Sequence, residues 1–134
     1  MTESSPGPAA RPLSPHLQIW RWHLTMLCSI LHRATGVALY VGALILTGWV
    51  VALATGPVAY AGYMNLLASP LGELVLFGLT VSVFYHLASG IRHLVWDAGD
   101  GFDPKVADAT GAACIAFALA AAFGVWAAAL LGTR

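Results

Sequence analysis

Two clusters of polar residues carry the chemistry available to this chain. The first is Ser29-Ile30-Leu31-His32-Arg33-Ala34-Thr35-Gly36. Ser29 and Arg33 are four positions apart and His32 is three from Ser29, so on a helix all three share one side. Arginine is a permanent cation with a planar fork of donors, and Ser and His each donate and accept. Such a trio suits an anionic carboxylate, for instance a haem propionate, or the carbonyl oxygen of a quinone. The plainer reading of Arg33 alone is a basic residue snorkelling to lipid headgroups, with Ser29 capping a helix.

The second cluster runs His86-Leu87-Ala88-Ser89-Gly90-Ile91-Arg92-His93-Leu94-Val95-Trp96-Asp97. At the helical rise, His86 lies about 15 Å from Trp96, inside the apolar zone of a bilayer. An ionisable side chain at that depth is a functional candidate, and a neutral imidazole is a good iron ligand. Ser82, Ser89 and Gly90, at i−4, i+3 and i+4, are small neighbours. They would let a flat macrocycle lie against the helix, or equally let another helix approach. His93 shares the face of His86, roughly 10 Å nearer the helix end, and is placed to pair with Asp97 or to face a propionate or quinone. A bis-histidine haem needs both imidazoles at nearly one level. His32 is expected near the membrane boundary, His86 well below it, and His16 and His23 outside. If His86 ligates haem, its opposite ligand is therefore expected from another subunit.

The elements that position these clusters follow from where charge is absent. The chain has 134 residues, 59% hydrophobic and 9% charged, with six basic residues balancing six acidic ones. An ordinary soluble domain carries about a quarter charged residues. This composition excludes a soluble enzyme with a large core, a disordered regulator and a nucleic-acid binder. No Asp, Glu, Lys or Arg occurs in 34–72, 74–91 or 109–133. Each window can supply the roughly 20 helical residues that cross a bilayer core, and three segments cannot close a barrel. The expected fold is an all-α integral membrane bundle with spans near 32–54, 71–96 and 110–131. A proline-punctuated tail covers 1–15, and 16–134 forms the membrane domain.

Thr55-Gly56-Pro57 is expected to end the first span, and Ser69-Pro70 to start the second with Ser69 as its cap. Loops are expected at 55–70 and 97–109, with Asp108 or Thr110 capping the third span. Arg11, Arg21, Arg33, Arg92 and Lys105 gather on one side, with Arg134 dissenting, so the positive-inside rule puts the N-terminus in the cytoplasm. Trp20, Trp22 and Trp96 would mark the inner interface, and Trp49, Tyr60 and Tyr63 the outer one. The N-terminus has neither an apolar signal core nor the pattern of an organellar transit peptide, which favours a bacterial inner membrane. Cys28 and Cys114 are expected to be reduced packing residues.

With Arg11-Pro12-Leu13 and the runs from Ser29 to Gly36 and from His86 to Gly99 in this order, the chain resembles the cytochrome b556 family of succinate dehydrogenase membrane anchors. The resemblance implies His86 as axial ligand to the iron of haem b, with the opposite ligand supplied by a small membrane anchor subunit. It implies His32 and Arg33 near the haem propionates, and Ser29 and Arg33 at the ubiquinone site. His93 matches a motif histidine without an assigned role. It also implies an iron–sulfur subunit and a flavoprotein subunit as partners, the latter oxidising succinate, so the chain alone would not be an enzyme. Two other readings stand beside it: a haem-free structural anchor of a related oxidoreductase, and a small transporter or channel subunit. The transporter reading lacks acidic residues within the spans and an inverted repeat.

Overall fold

The computed structural model describes residues 21–132, and every element in it is helical. Helix α1 spans Leu24–Thr55, α2 Pro57–Leu67, α3 Pro70–Asp97 and α4 Pro104–Gly132. Three of these, α1, α3 and α4, are long and apolar enough to cross a membrane. Only 6%, 17% and 11% of their most apolar windows are buried within the chain. Most of the apolar surface therefore faces outward, as in a bundle meant for lipid or for partner helices. The expected tail, Arg11-Pro12-Leu13, His16, Trp20 and Arg134 lie outside the described residues.

Sequence punctuation sets the helix ends. At Gly56, φ is 125°, a left-handed value that a side chain would disfavour, and Pro57 opens α2 directly after it. Ser69 caps α3 by accepting a hydrogen bond from the Gly72 N–H at 3.1 Å, with Pro70 in the first turn. Both expectations for these junctions hold.

Two expected loops are corrected. The 55–70 segment is largely helix α2, an uncharged run too short to span a bilayer. Proline and glycine at its ends mimic a loop, yet they mark boundaries on either side of a helix. The Tyr63 hydroxyl donates to the Ile45 carbonyl at 2.6 Å, fastening α2 across α1. The loop expected at 97–109 shortens, because α4 begins at Pro104. Asp103 is the cap: its Oδ1 accepts from the N–H groups of Lys105 and Val106 at 2.9 and 3.3 Å. Asp108 and Thr110 do not cap; they turn to His23 and Arg92 instead.

Helix α3 is central, packing against α1, α2 and α4. Its buried residues, Ser82, Tyr85, Ser89 and Arg92, form one stripe at helical spacing. On α4 the buried residues are all small: Ala107, Gly111, Cys114, Ala118 and Ala122. Small side chains let α4 approach α3 closely, the packing expected where lipid removes most of the hydrophobic drive. Tyr85, Cys114 and Ala118 form the core of that seam. The Tyr85 hydroxyl donates to the Cys28 carbonyl at 2.9 Å, tying α1 to it. Cys28 and Cys114 are buried free thiols, as expected of packing residues.

Candidate functional site

The site lies between α1 and α3, toward the end where α1 begins and α3 stops. Helix α1 carries Ser29, His32, Arg33, Thr35 and Gly36, and α3 carries His86 and His93. The rings of His32 and His86 stack with centroids 4.1 Å apart and planes 9° from parallel. His32 also stacks on His93, at 4.9 Å and 27°. His86 and His93 are two helical turns apart, about 10 Å along α3, so the His32 ring fills the gap between them. The result is a ladder of three imidazoles contributed by two helices.

This geometry revises the expected depths. His86 is the deeper residue, but the separation from His32 is one stacking distance rather than a large part of the bilayer. The reason is that α1 begins at Leu24, well ahead of the apolar window, which carries His32 inside the bundle. Parallel stacked rings do not direct their in-plane nitrogen lone pairs at one point between them. His32 and His86 as they stand therefore do not bracket a metal ion together. Among the described residues there is also no group of three or more His, Cys, Asp or Glu side chains able to hold a metal ion.

Each ring is held differently. The Nδ1 of His86 lies 3.3 Å from Thr35 Oγ1, and that hydroxyl lies 2.8 Å from the Leu31 carbonyl and 3.0 Å from the His32 carbonyl. A Cβ added at Gly36 would stand 3.3 Å from His86 Cε1, so the absence of a side chain lets the imidazole lie against α1. The His93 Nδ1 donates to the Ser89 carbonyl at 2.6 Å, and its ring meets Trp96 edge-on at 5.0 Å. His93 is therefore engaged with its own helix and with Trp96, not with Asp97. The Nδ1 of His32 is buried and has no hydrogen-bond partner. That orphan polar atom costs stability in isolation and favours a further group at the site.

The expected trio divides. Ser29 and Arg33 are exposed on the outside of α1, while His32 turns inward to α3. Ser29 sits well inside α1 and does not cap it. The small residues around His86 divide as well. Ser82 and Ser89 belong to the buried stripe of α3, whereas a Cβ added at Gly90 would meet nothing within 4 Å. The space at Gly90, one turn along α3 from His86, is thus open.

Three features escape a reading of the sequence alone. Thr35 partners His86 across 51 positions, although both residues fall within the quoted runs. Arg92, counted among the basic residues at the membrane boundary, is 7% exposed. Its Nε donates to Thr110 Oγ1 at 3.0 Å, its Nη2 to the Ala107 carbonyl at 2.7 Å, and its guanidinium lies 3.9 Å over the Trp96 ring. At the surface, His23 Nδ1 lies 3.4 Å from Asp108 Oδ1, linking the starts of α1 and α4.

Three membrane-length helices, two of them with stacked imidazoles between them, define a multi-pass membrane protein. The chain belongs to the succinate dehydrogenase/fumarate reductase transmembrane subunit family, whose model matches residues 8–125. It is 43% identical over 106 residues to the succinate dehydrogenase cytochrome b556 subunit of Paracoccus denitrificans, covering 79% of this chain and 82% of that one. The cytochrome b556 subunit of Rickettsia felis is 41% identical over 101 residues, or 75% of this chain and 78% of that one. The mitochondrial cytochrome b560 subunit of Sus scrofa is 43% identical over 96 residues, covering 68% of this chain and 55% of the longer pig protein.

Proposed function

We propose that this chain is the large membrane anchor of a succinate:quinone oxidoreductase in a bacterial inner membrane, carrying haem b and one wall of the ubiquinone site. The observation that carries the reading is His86: an imidazole inside a membrane-length helix, engaged at Nδ1 by Thr35 and lying against Gly36. Its Nε2 is the nitrogen left for a metal. The open space at Gly90 and the orphan Nδ1 of His32 fit a further group beside the stack. When bound, haem b supplies a one-electron carrier whose potential the axial ligands help to set.

The chain's own residues do the rest. His86 would hold the haem iron through Nε2 together with a residue of a small membrane anchor subunit, since His32 stacks on His86 rather than facing it across a common point. His32, from the inner side of α1, and Arg33, from its outer side, would meet the haem carboxylates, with His93 as a further contact. Ser29 and Arg33, exposed together on the outer side of α1, receive the quinone: Ser29 donates to a carbonyl oxygen and Arg33 stabilises negative charge developing there. Protons enter from the cytoplasmic side. An iron–sulfur subunit docks there and a flavoprotein subunit oxidises succinate, so this chain does not turn over succinate by itself.

A reduced-minus-oxidised spectrum of the purified complex tests the ligand. His86→Ala removes the b-type band while the other subunits remain associated. A full b-type spectrum in that variant rejects His86 as a ligand, and a complex with no such band in its natural form is a haem-free anchor.

A further inference from the structure

The reading above uses Thr35 only as a neighbour of His86, yet its hydroxyl is the one side-chain group in hydrogen-bond range of His86 among the described residues. A threonine hydroxyl has a single proton. Thr35 is placed to spend that proton on its own helix, at 2.8 Å from the Leu31 carbonyl or 3.0 Å from the His32 carbonyl. Those carbonyls can only accept. The oxygen therefore meets His86 Nδ1 as an acceptor, and Nδ1 must carry the ring proton. A neutral imidazole protonated at Nδ1 has its lone pair at Nε2.

We infer that Thr35 is a positioning residue that fixes the tautomer and orientation of His86, presenting Nε2 as an electron-pair donor and strengthening that donor through the Nδ1–H···Oγ1 hydrogen bond. The inference rests on the reading of His86 as the haem ligand. Such outer partners of a ligating histidine raise its donor strength and fix its ring, and their loss costs about 10–100-fold in metal affinity. A more basic ligand favours the oxidised, more positive iron. Without the acceptor, the reduction equilibrium shifts toward the reduced form.

The packing restricts the alternatives. A Cβ at position 36 would stand 3.3 Å from the Cε1 edge of the ring, and His32 covers one face. The ring is thus held by shape as well, and valine at position 35 keeps nearly the same volume while deleting the acceptor. Serine keeps the acceptor and deletes a methyl group. The pair separates hydrogen bonding from packing.

The experiment uses the full complex, purified with Thr35→Val, Thr35→Ser or Thr35→Ala in this chain. Subunit composition, haem per complex and the equilibrium midpoint potential of the b-type band are measured in each. Thr35→Val and Thr35→Ala are expected to raise the potential by up to about 59 mV, the equivalent of a tenfold change in a one-electron equilibrium. Haem should also be lost more readily, by about tenfold. Thr35→Ser is expected to match the natural protein. An unchanged potential and haem content in Thr35→Val or Thr35→Ala overturns the inference, as does a shift in Thr35→Ser as large as in Thr35→Val. Should the valine variant fail to assemble, the alanine and serine variants carry the same comparison. His86→Ala measured alongside separates the two levels. If it keeps the b-type band, the ligand assignment fails; if it loses the band while Thr35→Val and Thr35→Ala stay normal, only the role of Thr35 fails.

Discussion

Helix α3 presents polar residues on two sides, and the two sides are finished to different degrees. Toward α4, Arg92 is buried with hydrogen bonds to Thr110 and Ala107 and a ring face beneath it. Tyr85 on the same stripe has its hydroxyl satisfied by the Cys28 carbonyl. Toward α1, the imidazoles of His86, His32 and His93 stack, His32 Nδ1 lacks a partner, and the space at Gly90 is open. Burying a polar group in an apolar medium is costly unless it is hydrogen-bonded. A seam in which the charge is matched internally is a device for assembly. A seam with donors and acceptors left over is incomplete until something else arrives. Two arginines make the same contrast: Arg92 is spent within the chain, while Arg33 is exposed with no hydrogen bond or ion pair among the described residues.

If the contrast is real, the two arginines fail differently. Arg33→Leu is expected to slow quinone reduction by about 10²–10³-fold, the scale for loss of an oriented donor to developing negative charge. Succinate oxidation with an artificial acceptor should survive in the same preparation. Equal loss of both activities would instead place Arg33 with Arg92, as an assembly residue. Arg92→Met should do the opposite. Loss of its charged hydrogen bonds is expected to destabilise the chain by about 1.5–3 kcal/mol, read as a lower thermal midpoint of the solubilised complex. Quinone turnover per intact complex should stay close to that of the natural protein. A selective quinone defect with unchanged stability would break the comparison from the other side.

Tyr85→Phe sharpens it with a smaller effect. Deleting one neutral hydrogen bond on the closed side is expected to cost about 1 kcal/mol, with the b-type spectrum and its potential unaltered. A shift of the haem potential in Tyr85→Phe would mean that the two seams of α3 are coupled, with the Tyr85 bond to Cys28 of α1 as the direct route.

Much of this was legible in the residues. The absence of charge from 34–72, 74–91 and 109–133 announces the three long helices, and Gly56, Pro57, Ser69 and Pro70 mark junctions that the structure keeps. The residues of the site were legible as types: His86, His32 and His93 all join the stack. Their mutual placement was not. Ser29, His32 and Arg33 share a side of α1 only loosely, and the rotation of α1 sends His32 inward while leaving the other two outside. Arg92 reads as a boundary charge because its partners, Thr110 and the Ala107 carbonyl, belong to the next helix. Helix α2 was hidden by its own caps, since the residues that frame a short helix also frame a loop.

Sequence by itself determined that the chain crosses a membrane as helices, because a charge-free run long enough for the bilayer has no other way to satisfy its backbone. It also determined which few ionisable side chains accompany those helices. Only the tertiary structure decided how they meet. Relative depth and rotation are properties of a pair of helices, and counting along either one alone leaves both undefined. The packing of α1 on α3 brings His32, expected at the membrane boundary with His86 well below it, into stacking contact with His86. The same register gives His86 its neighbour Thr35, a contact between residues 51 positions apart that arises only once the two helices pack.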